Sequence, residues 1–214
     1  MPKIRYLHKT REGISSIYPK KSGDILQNMN FSRYYRNRGK LIYGFDPNII
    51  DMKYVRDLSR ADDKVMSVSP QIGKESRPFV GIVVICNQKK YCIPLTSPKP
   101  KHQTMKNDRN FSRMFDKGNK LIGCLNFNNM LPVDDSVLLP IDMRVQKGDS
   151  AKERAYKSLL NDQLDWCNDN FDAITIKAEK LYKIVTETPD KMKNLTKRCC
   201  DFKKLELVLE KRKK

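Results

Sequence analysis

A short polar segment, Thr96, Ser97, Pro98 and Lys99, brings two hydroxyls and one ammonium group together directly after an apolar stretch that ends at Leu95. Proline restricts the residue before it to extended backbone, which fixes the turn. Hydroxyls that orient a phosphate, and an ammonium that stabilises its charge, are groups that phosphoryl chemistry needs. The ribose 2′-OH of RNA would supply the attacking oxygen, so the 96–99 segment is a candidate site for RNA cleavage without a metal ion. Free hydroxyls are poor bases at neutral pH, so the general base stays unassigned.

Two more residues are candidates for the same site. Arg77 stands just before the apolar run Phe79–Cys86, and an antiparallel hairpin that turns at Gln88 brings Arg77 beside Lys99. His102 follows shortly after Lys99, and its ordinary pKa of about 6.5 suits proton transfer. Each feature also has an ordinary structural interpretation, because turn sequences, solvated cations and exposed histidines are common.

The charge of the chain indicates a polyanionic partner. Its 214 residues include 43 Lys and Arg against 25 Asp and Glu, a formal net charge of +18. The excess positive side chains repel one another unless a polyanion neutralises them, so RNA or DNA is the first partner to consider. The basic residues expected to contact RNA are Lys74, Lys101, His102, Lys106, Arg109 and Arg113.

Several classes of protein are disfavoured by composition. No apolar stretch approaches the ~18 residues that cross a bilayer, and residues 1–15 lack the apolar core of an export signal, so a cytoplasmic protein without membrane contact is expected. A disulfide framework is not expected for the six cysteines in that compartment. Their spacing, with only two histidines, does not match a zinc site, and no metal or cofactor is expected.

The first part of the chain differs from the rest. Residues 1–40 hold ten basic residues and two acids without a sustained apolar period. We predict that residues 1–39 form a basic, flexible N-terminal extension and that residues 40–214 form the functional domain. The alternative for residues 1–39 is a solvated tail without a binding role.

Hydrophobic periodicity predicts strands first and helices afterwards. After a strand at 40–45, Asp46 as N-cap and Pro47 at the first helical position predict a helix that runs through Leu58. Further strands are expected at 79–86, 90–95, 120–127, 130–133 and 136–140. Residues 128–129 are expected to form a left-handed turn between two of them, and residues 96–117 a polar excursion.

From residue 151 the apolar period becomes helical, with a break near Asn170, a stop at Pro189 and a last amphipathic segment over 202–209. The predicted fold class is therefore α+β, a compact bent antiparallel sheet or small barrel with helices packed on one side.

In order and spacing, three stretches followed by His102 resemble the ToxN/AbiQ family, the endoribonuclease toxins of type III toxin–antitoxin systems. The stretches are residues 62–65 (Asp-Asp-Lys-Val), 79–83 (Phe-Val-Gly-Ile-Val) and 94–99 (Pro-Leu-Thr-Ser-Pro-Lys). Further matches are Gly123, Cys124, Leu125, Asn126, Phe127, Met130, Pro132, Phe202, Leu205 and Glu206. The resemblance covers about residues 40–210.

The resemblance implies a sheet like that of the MazF and Kid toxins with added helices, and a metal-independent RNase. It places the family's threonine, serine and lysine on Thr96, Ser97 and Lys99, and a basic residue, usually lysine, on Arg77. Arginine keeps the charge but is a poorer proton donor. The family's tyrosine in the preceding loop falls on Gly73.

The resemblance also implies the partners. The antitoxin would be a small RNA pseudoknot that the toxin cuts from a repeat array and that bridges toxin copies into a closed homo-oligomeric ring. Cellular or phage mRNA would be the substrate, with abortive phage infection as the outcome. We therefore expect an endoribonuclease that leaves 2′,3′-cyclic phosphate and 5′-hydroxyl ends. The alternatives are a non-catalytic basic RNA-binding protein, for which the charge suffices, and a toxin of the same fold with a protein antitoxin.

Overall fold

In a computed structural model, side chains are described for residues 45–65 and 79–212, and backbone alone for four short strands before them. The chain divides into two compact units, Met1–Asp46 and Pro47–Lys214. In the first unit, two antiparallel hairpins pair β1 (His8–Thr10) with β2 (Gly13–Ser15) and β3 (Tyr34–Asn37) with β4 (Lys40–Tyr43). The functional boundary at residue 40 stays a prediction.

Seven strands of the second unit form one open antiparallel sheet. They are β5 (Pro47–Ile50), β6 (Phe79–Cys86), β7 (Lys89–Thr96), β8 (Phe111–Phe115), β9 (Leu121–Asn126), β10 (Leu131–Val133) and β11 (Leu138–Pro140). Their order is β11-β5-β6-β7-β9-β8, and β10 pairs with the first half of β7. The predicted α+β class is confirmed, in the form of an open sheet rather than a barrel.

The described residues form six α-helices, of which the two short ones at 100–104 and 193–196 are not predicted from the sequence. They are α1 (Met52–Ala61), α2 (Pro100–Thr104), α3 (Ala151–Asp169), α4 (Phe171–Glu187), α5 (Lys193–Thr196) and α6 (Phe202–Arg212). The break predicted near Asn170 is confirmed, since this residue ends α3 and precedes α4. In the part of the chain that the structure describes, no helix is long and apolar enough to cross a membrane.

The three long helices α3, α4 and α6 pack on one face of the sheet. Met114 of β8 meets Cys167 of α3, and Tyr91 of β7 donates a hydrogen bond to Glu206 of α6. Ile82 and Ile93, paired across β6 and β7, are fully buried on that same face. β-Branched residues suit such a packed, pleated surface, which is why the apolar run at 79–86 becomes a central strand.

Two boundaries differ from the prediction. Residues 47–50 form β5 instead of the first turn of a helix, because they pair with β6 on one side and β11 on the other. Asp51 is the true N-cap of α1 and accepts a hydrogen bond from the backbone N–H of Lys53. The hairpin turn is Asn87–Gln88 with Cys86 opposite Lys89, which is one residue from the register expected for a turn at Gln88.

The region after β7 also differs. The excursion expected at 96–117 contains the strand β8, which pairs with β9. Residues 127–129 form a 3-10 turn instead of a left-handed hairpin turn, and they lead β10 to β7 instead of back to β9. Pairing with β9 makes β8 a strand, and long-range pairing with β7 sets the course of β10, which local sequence does not specify.

Candidate active site

The 96–99 segment lies where β7 leaves the sheet. Residues Leu95 and Thr96 are the last of β7 to pair with β9, opposite Leu125 and Cys124. Thr96 is half-buried, whereas residues 97–99 are exposed. Two hydroxyls and one ammonium group therefore occupy an accessible margin of a rigid sheet, as the sequence predicts.

The turn after this segment is closed by His102. The backbone N–H of His102 donates to the carbonyl of Lys99 at 2.9 Å, and the backbone N–H of Lys99 donates to His102 Nδ1 at 3.3 Å. The imidazole packs against Phe111 of β8 with ring centroids 5.9 Å apart. His102 thus holds α2 against the sheet and sets the path of the chain at Lys99.

The state of His102 follows from these contacts. Only 4% of the residue is exposed. Burial, with Lys101 and Lys99 nearby, holds the pKa of His102 below its ordinary value. A neutral ring whose Nδ1 accepts a hydrogen bond carries its proton on Nε2. The ring is buried and contacts the backbone of Lys99, and the RNA contact expected from the sequence stays a prediction.

Strand register places a row of polar residues across three strands. Arg113 of β8 is opposite Cys124 of β9, which is in turn opposite Thr96 of β7. Directly opposed residues share a face of the sheet, and Asn126, two residues after Cys124, shares it too. The Nδ2 amide of Asn126 donates to Thr96 Oγ1 at 2.9 Å. We call this surface, with Phe111, the site face; it is the face opposite the long helices.

Arg113 joins β8 to α2. Its Nη1 donates to the carbonyl of Gln103 at 2.8 Å, and its guanidinium lies 5.1 Å from the centre of the Phe115 ring. Arg113 Nε is buried without a hydrogen-bond partner among the described residues. The guanidinium is half-buried and occupied within the fold, and its predicted contact with RNA stays a prediction.

Cys124 lies in the middle of the row, yet it is not set up as a nucleophile. Burial raises the pKa of its thiol to about 11, although Arg113 and Lys101 favour the thiolate. A cysteine nucleophile acts as the thiolate, so Cys124 is a packing residue at neutral pH. All six cysteines are buried and free.

The other predicted cations are distributed around the site. Lys101 of α2 and Lys106 and Arg109 of the following loop are exposed, and Arg109 Nη1 contacts Met192 Sδ at 2.7 Å. Lys74 and Arg77 lie outside the described residues. Their roles, and the juxtaposition of Arg77 with Lys99, remain predictions.

The acidic motif at 62–65 has a structural role. Asp62 accepts hydrogen bonds from the backbone N–H of Lys64 at 2.9 Å and of Asp201 at 2.6 Å. It therefore ties the end of α1 to the residue before α6. Within residues 45–65 and 79–212, no group of three His, Cys, Asp or Glu residues is placed to hold a metal ion.

Asn126 is the site residue that sequence reasoning did not single out. It is 30 residues away from its partner Thr96 along the chain, and no spacing rule connects the two. Asn126 does belong to the stretch Gly-Cys-Leu-Asn-Phe at residues 123–127, which resembles the family, but that resemblance assigns it no role.

The fold and this strand margin define a basic α+β protein with hydroxyls and lysine exposed beside an open sheet. Residues 48–210 match the family model described as toxin ToxN of type III toxin–antitoxin systems. The chain therefore belongs to the ToxN family of type III toxin–antitoxin toxins, and the predicted resemblance is confirmed.

Two relatives illustrate the similarity in sequence. Endoribonuclease ToxN of Bacillus thuringiensis subsp. kurstaki is 36% identical over an alignment of 165 residues that covers 73% of this chain and 78% of the relative. Endoribonuclease AbiQ of Lactococcus lactis subsp. lactis is 29% identical over 161 residues, covering 72% of this chain and 81% of the relative.

Two solved structures show a similar fold. One, from a study of selective toxin inhibition by a non-coding RNA pseudoknot in type III systems, has a TM-score of 0.65 at 32% identity and covers 79% of this chain and 99% of its own. Another, the lactococcal anti-phage endoribonuclease AbiQ, has a TM-score of 0.66 at 28% identity and covers 80% of this chain and 99% of its own.

Proposed function

We propose that this chain is an endoribonuclease toxin that cuts RNA without a metal ion at the end of β7. The observation that carries the proposal is the 96–99 segment at the sheet margin, with residues 97–99 exposed. The fold holds this segment by contacts from Asn126 to Thr96 and from Lys99 to His102. The endoribonuclease names of the relatives support the same reaction class.

The reaction is a transesterification. The ribose 2′-oxygen forms a bond to the adjacent phosphorus, and the bond from phosphorus to the 5′-oxygen breaks. The proton of the 2′-OH passes to a base, and the leaving 5′-oxygen gains a proton, which leaves 2′,3′-cyclic phosphate and 5′-hydroxyl ends. Lys99, with Arg77, stabilises the added negative charge on the phosphoryl oxygens, and Thr96 and Ser97 orient the phosphate.

The decisive measurement is RNA cleavage in chelator. We expect the wild type to cut and Lys99→Ala and Ser97→Ala to cut about a hundredfold more slowly, because each removes a group that acts on the transition state. Lys152→Ala removes an exposed lysine of α3 and should cut normally. A substrate with a 2′-deoxy sugar at the cut site should resist. Undiminished cutting by Lys99→Ala, or cutting that requires added Mg²⁺, would contradict the proposal.

We further propose that the protein's inhibitor is a small RNA pseudoknot processed from a repeat array, and that cellular or phage mRNA is its target. The net charge of +18 supports a polyanionic inhibitor, and a solved relative is described as inhibited by such an RNA. Co-expression with the array should restore growth, the complex should have the mass of an RNA-bridged ring, and affinity should fall steeply with salt. Binding without cutting would favour the non-catalytic alternative.

A further inference from the structure

We propose that Asn126 is a positioning residue that aims the Thr96 hydroxyl proton at a phosphoryl oxygen of the RNA. The observation is the 2.9 Å hydrogen bond from Asn126 Nδ2 to Thr96 Oγ1, formed across β9 and β7 on the site face. This inference deepens the proposed function and rests on it, because Thr96 acts here only if the 96–99 segment binds the scissile phosphate.

Hydrogen-bond accounting gives the direction of the Thr96 proton. A threonine hydroxyl has one proton to donate and two lone pairs that accept. The amide of Asn126 uses a lone pair, so the proton is not consumed in that contact. Among the described residues, Thr96 Oγ1 has no acceptor for its proton, which leaves the proton available to an anionic oxygen.

The backbone around Asn126 is fixed on both sides. Asn126 is the last residue of β9 and is opposite Phe111 of β8. The next residue, Phe127, is fully buried and its backbone N–H donates to the carbonyl of Asn110 at 3.0 Å. The backbone that carries the Asn126 amide is therefore held in place. The Thr96 side chain adopts the rotamer in which its hydroxyl oxygen accepts the hydrogen bond from that amide.

This arrangement acts on the transition state more than on the bound substrate. Negative charge on the phosphoryl oxygens grows as the 2′-oxygen attacks, and a preoriented donor gains strength with that charge. Loss of Asn126 should lower kcat and leave KM nearly unchanged. A residue that only stabilised the fold would lower the melting temperature and reduce the amount of active protein, without dependence on the Thr96 hydroxyl.

The test is a double-mutant cycle in single-turnover RNA cleavage. We expect Thr96→Val and Asn126→Ala each to lower the rate constant of cleavage at saturating enzyme about tenfold, the size expected from one lost hydrogen bond in the transition state. The double variant should be no slower than Thr96→Val alone, because Asn126 acts only through that hydroxyl. Asn129→Ala is the matched control, since it removes another half-buried asparagine, whose Oδ1 accepts from Asn128, and should cut at the wild-type rate.

A second variant reports on the direction of the hydrogen bond. In Asn126→Asp the carboxylate accepts the Thr96 proton and withdraws it from the substrate, so this variant should be slower than Asn126→Ala. The new negative charge is also present when Asn126→Asp is combined with Thr96→Val. The additional loss of cleavage rate that Asn126→Asp causes only when Thr96 is present therefore measures the effect of the withdrawn proton. Melting temperatures of all variants are compared with the wild type.

The outcomes separate this inference from the proposed function. Suppose that the wild type cuts and Thr96→Val is slow. If Asn126→Ala is then as fast as the wild type, or if its loss of cleavage rate adds fully to that of Thr96→Val, the inference about Asn126 is wrong and the proposed active site is retained. If Lys99→Ala and Ser97→Ala cut normally, the proposed function itself fails.

Discussion

The hydroxyl of Tyr91 donates a 2.7 Å hydrogen bond to the buried carboxylate of Glu206, and through this bond the central strand β7 is fastened to α6. The same Oε1 accepts from Tyr182 of α4 at 2.9 Å, and Oε2 accepts from Lys89 at 2.5 Å. One carboxylate therefore joins β7 to two helices on the face opposite the site.

Removal of this carboxylate should destabilise the protein strongly. In Glu206→Ala, two buried tyrosine hydroxyls lose their acceptor and Lys89 loses its closest anion, so the free energy of unfolding should fall by about 3 kcal/mol. Urea unfolding at neutral pH measures the loss. Glu210→Gln, which removes only an exposed partner of Lys89 at 3.5 Å, should change stability little. A Glu206→Ala protein as stable as that control would contradict the assignment.

Glu206 should also make the stability of the protein depend on pH in the acidic range. Burial raises the pKa of Glu206, but hydrogen bonds from Lys89, Tyr91 and Tyr182 outweigh it and hold the pKa below its ordinary value of 4.5. Below 4.5 the unfolded chain binds a proton here that the folded chain does not, so acid favours unfolding. The stability contributed is fully present above 4.5 and is lost as pH falls through the lower folded pKa. The stability advantage of wild type over Glu206→Gln should narrow across that range.

Gly123 should not tolerate a side chain. A Cβ there would meet Gln163 Nε2, as well as the carbonyl oxygen of Thr96 at 2.7 Å and Met114 Cε at 2.8 Å. Gly123→Ala should lower stability by roughly 2 kcal/mol and should also slow RNA cleavage, since the end of β7 must move. Gly148→Ala, where a Cβ meets no heavy atom within 4 Å, is the control. Unfolding curves and cleavage rates check both effects.

The sequence predicts those elements whose pattern and packing agree. The run at 79–86 is apolar on both faces and becomes a central strand, and α3 and α4 carry an uninterrupted helical period. The helix start was misplaced because Asp46 and Pro47 imitate a cap and a first turn, whereas pairing of β5 with β6 and β11 is a long-range property. β8 was missed because Ser112 and Arg113 interrupt its apolar residues within a basic stretch.

Sequence alone can single out candidate residues that are consecutive along the chain, but it cannot identify contacts between strands. The 96–99 segment is recognisable because its hydroxyls and lysine are consecutive. The contact between Asn126 and Thr96 depends on the β7–β9 register, and spacing in sequence contains no trace of it. The expected role of His102 in proton transfer stays a prediction, and the structure shows its ring buried against Phe111.

His102 should produce a separate pH dependence of stability. Burial, Lys101 and Lys99 lower its pKa from 6.5, so below 6.5 the unfolded chain binds a proton that the folded chain excludes. Stability is therefore highest above 6.5 and falls as pH drops below that value. His102→Asn should remove this slope. Imidazole signals in NMR titrations identify the group, since the chain has two histidines and the variant lacks one. A titration of His102 above 6.5 would contradict the expected sign.

The hairpin turn between β6 and β7 offers a stabilising substitution. Asn87 and Gln88 have φ values of 47° and 64°, the left-handed geometry that a two-residue turn between twisted strands requires. Asparagine tolerates this geometry but glutamine adopts it at a cost, so Gln88→Gly should raise the free energy of unfolding by about 0.5 kcal/mol. Asn119→Gly, at a φ of 61°, should gain less, since asparagine is already suited to its position. Equal gains in both variants, measured by urea unfolding, would show that glutamine carries no extra strain in the turn.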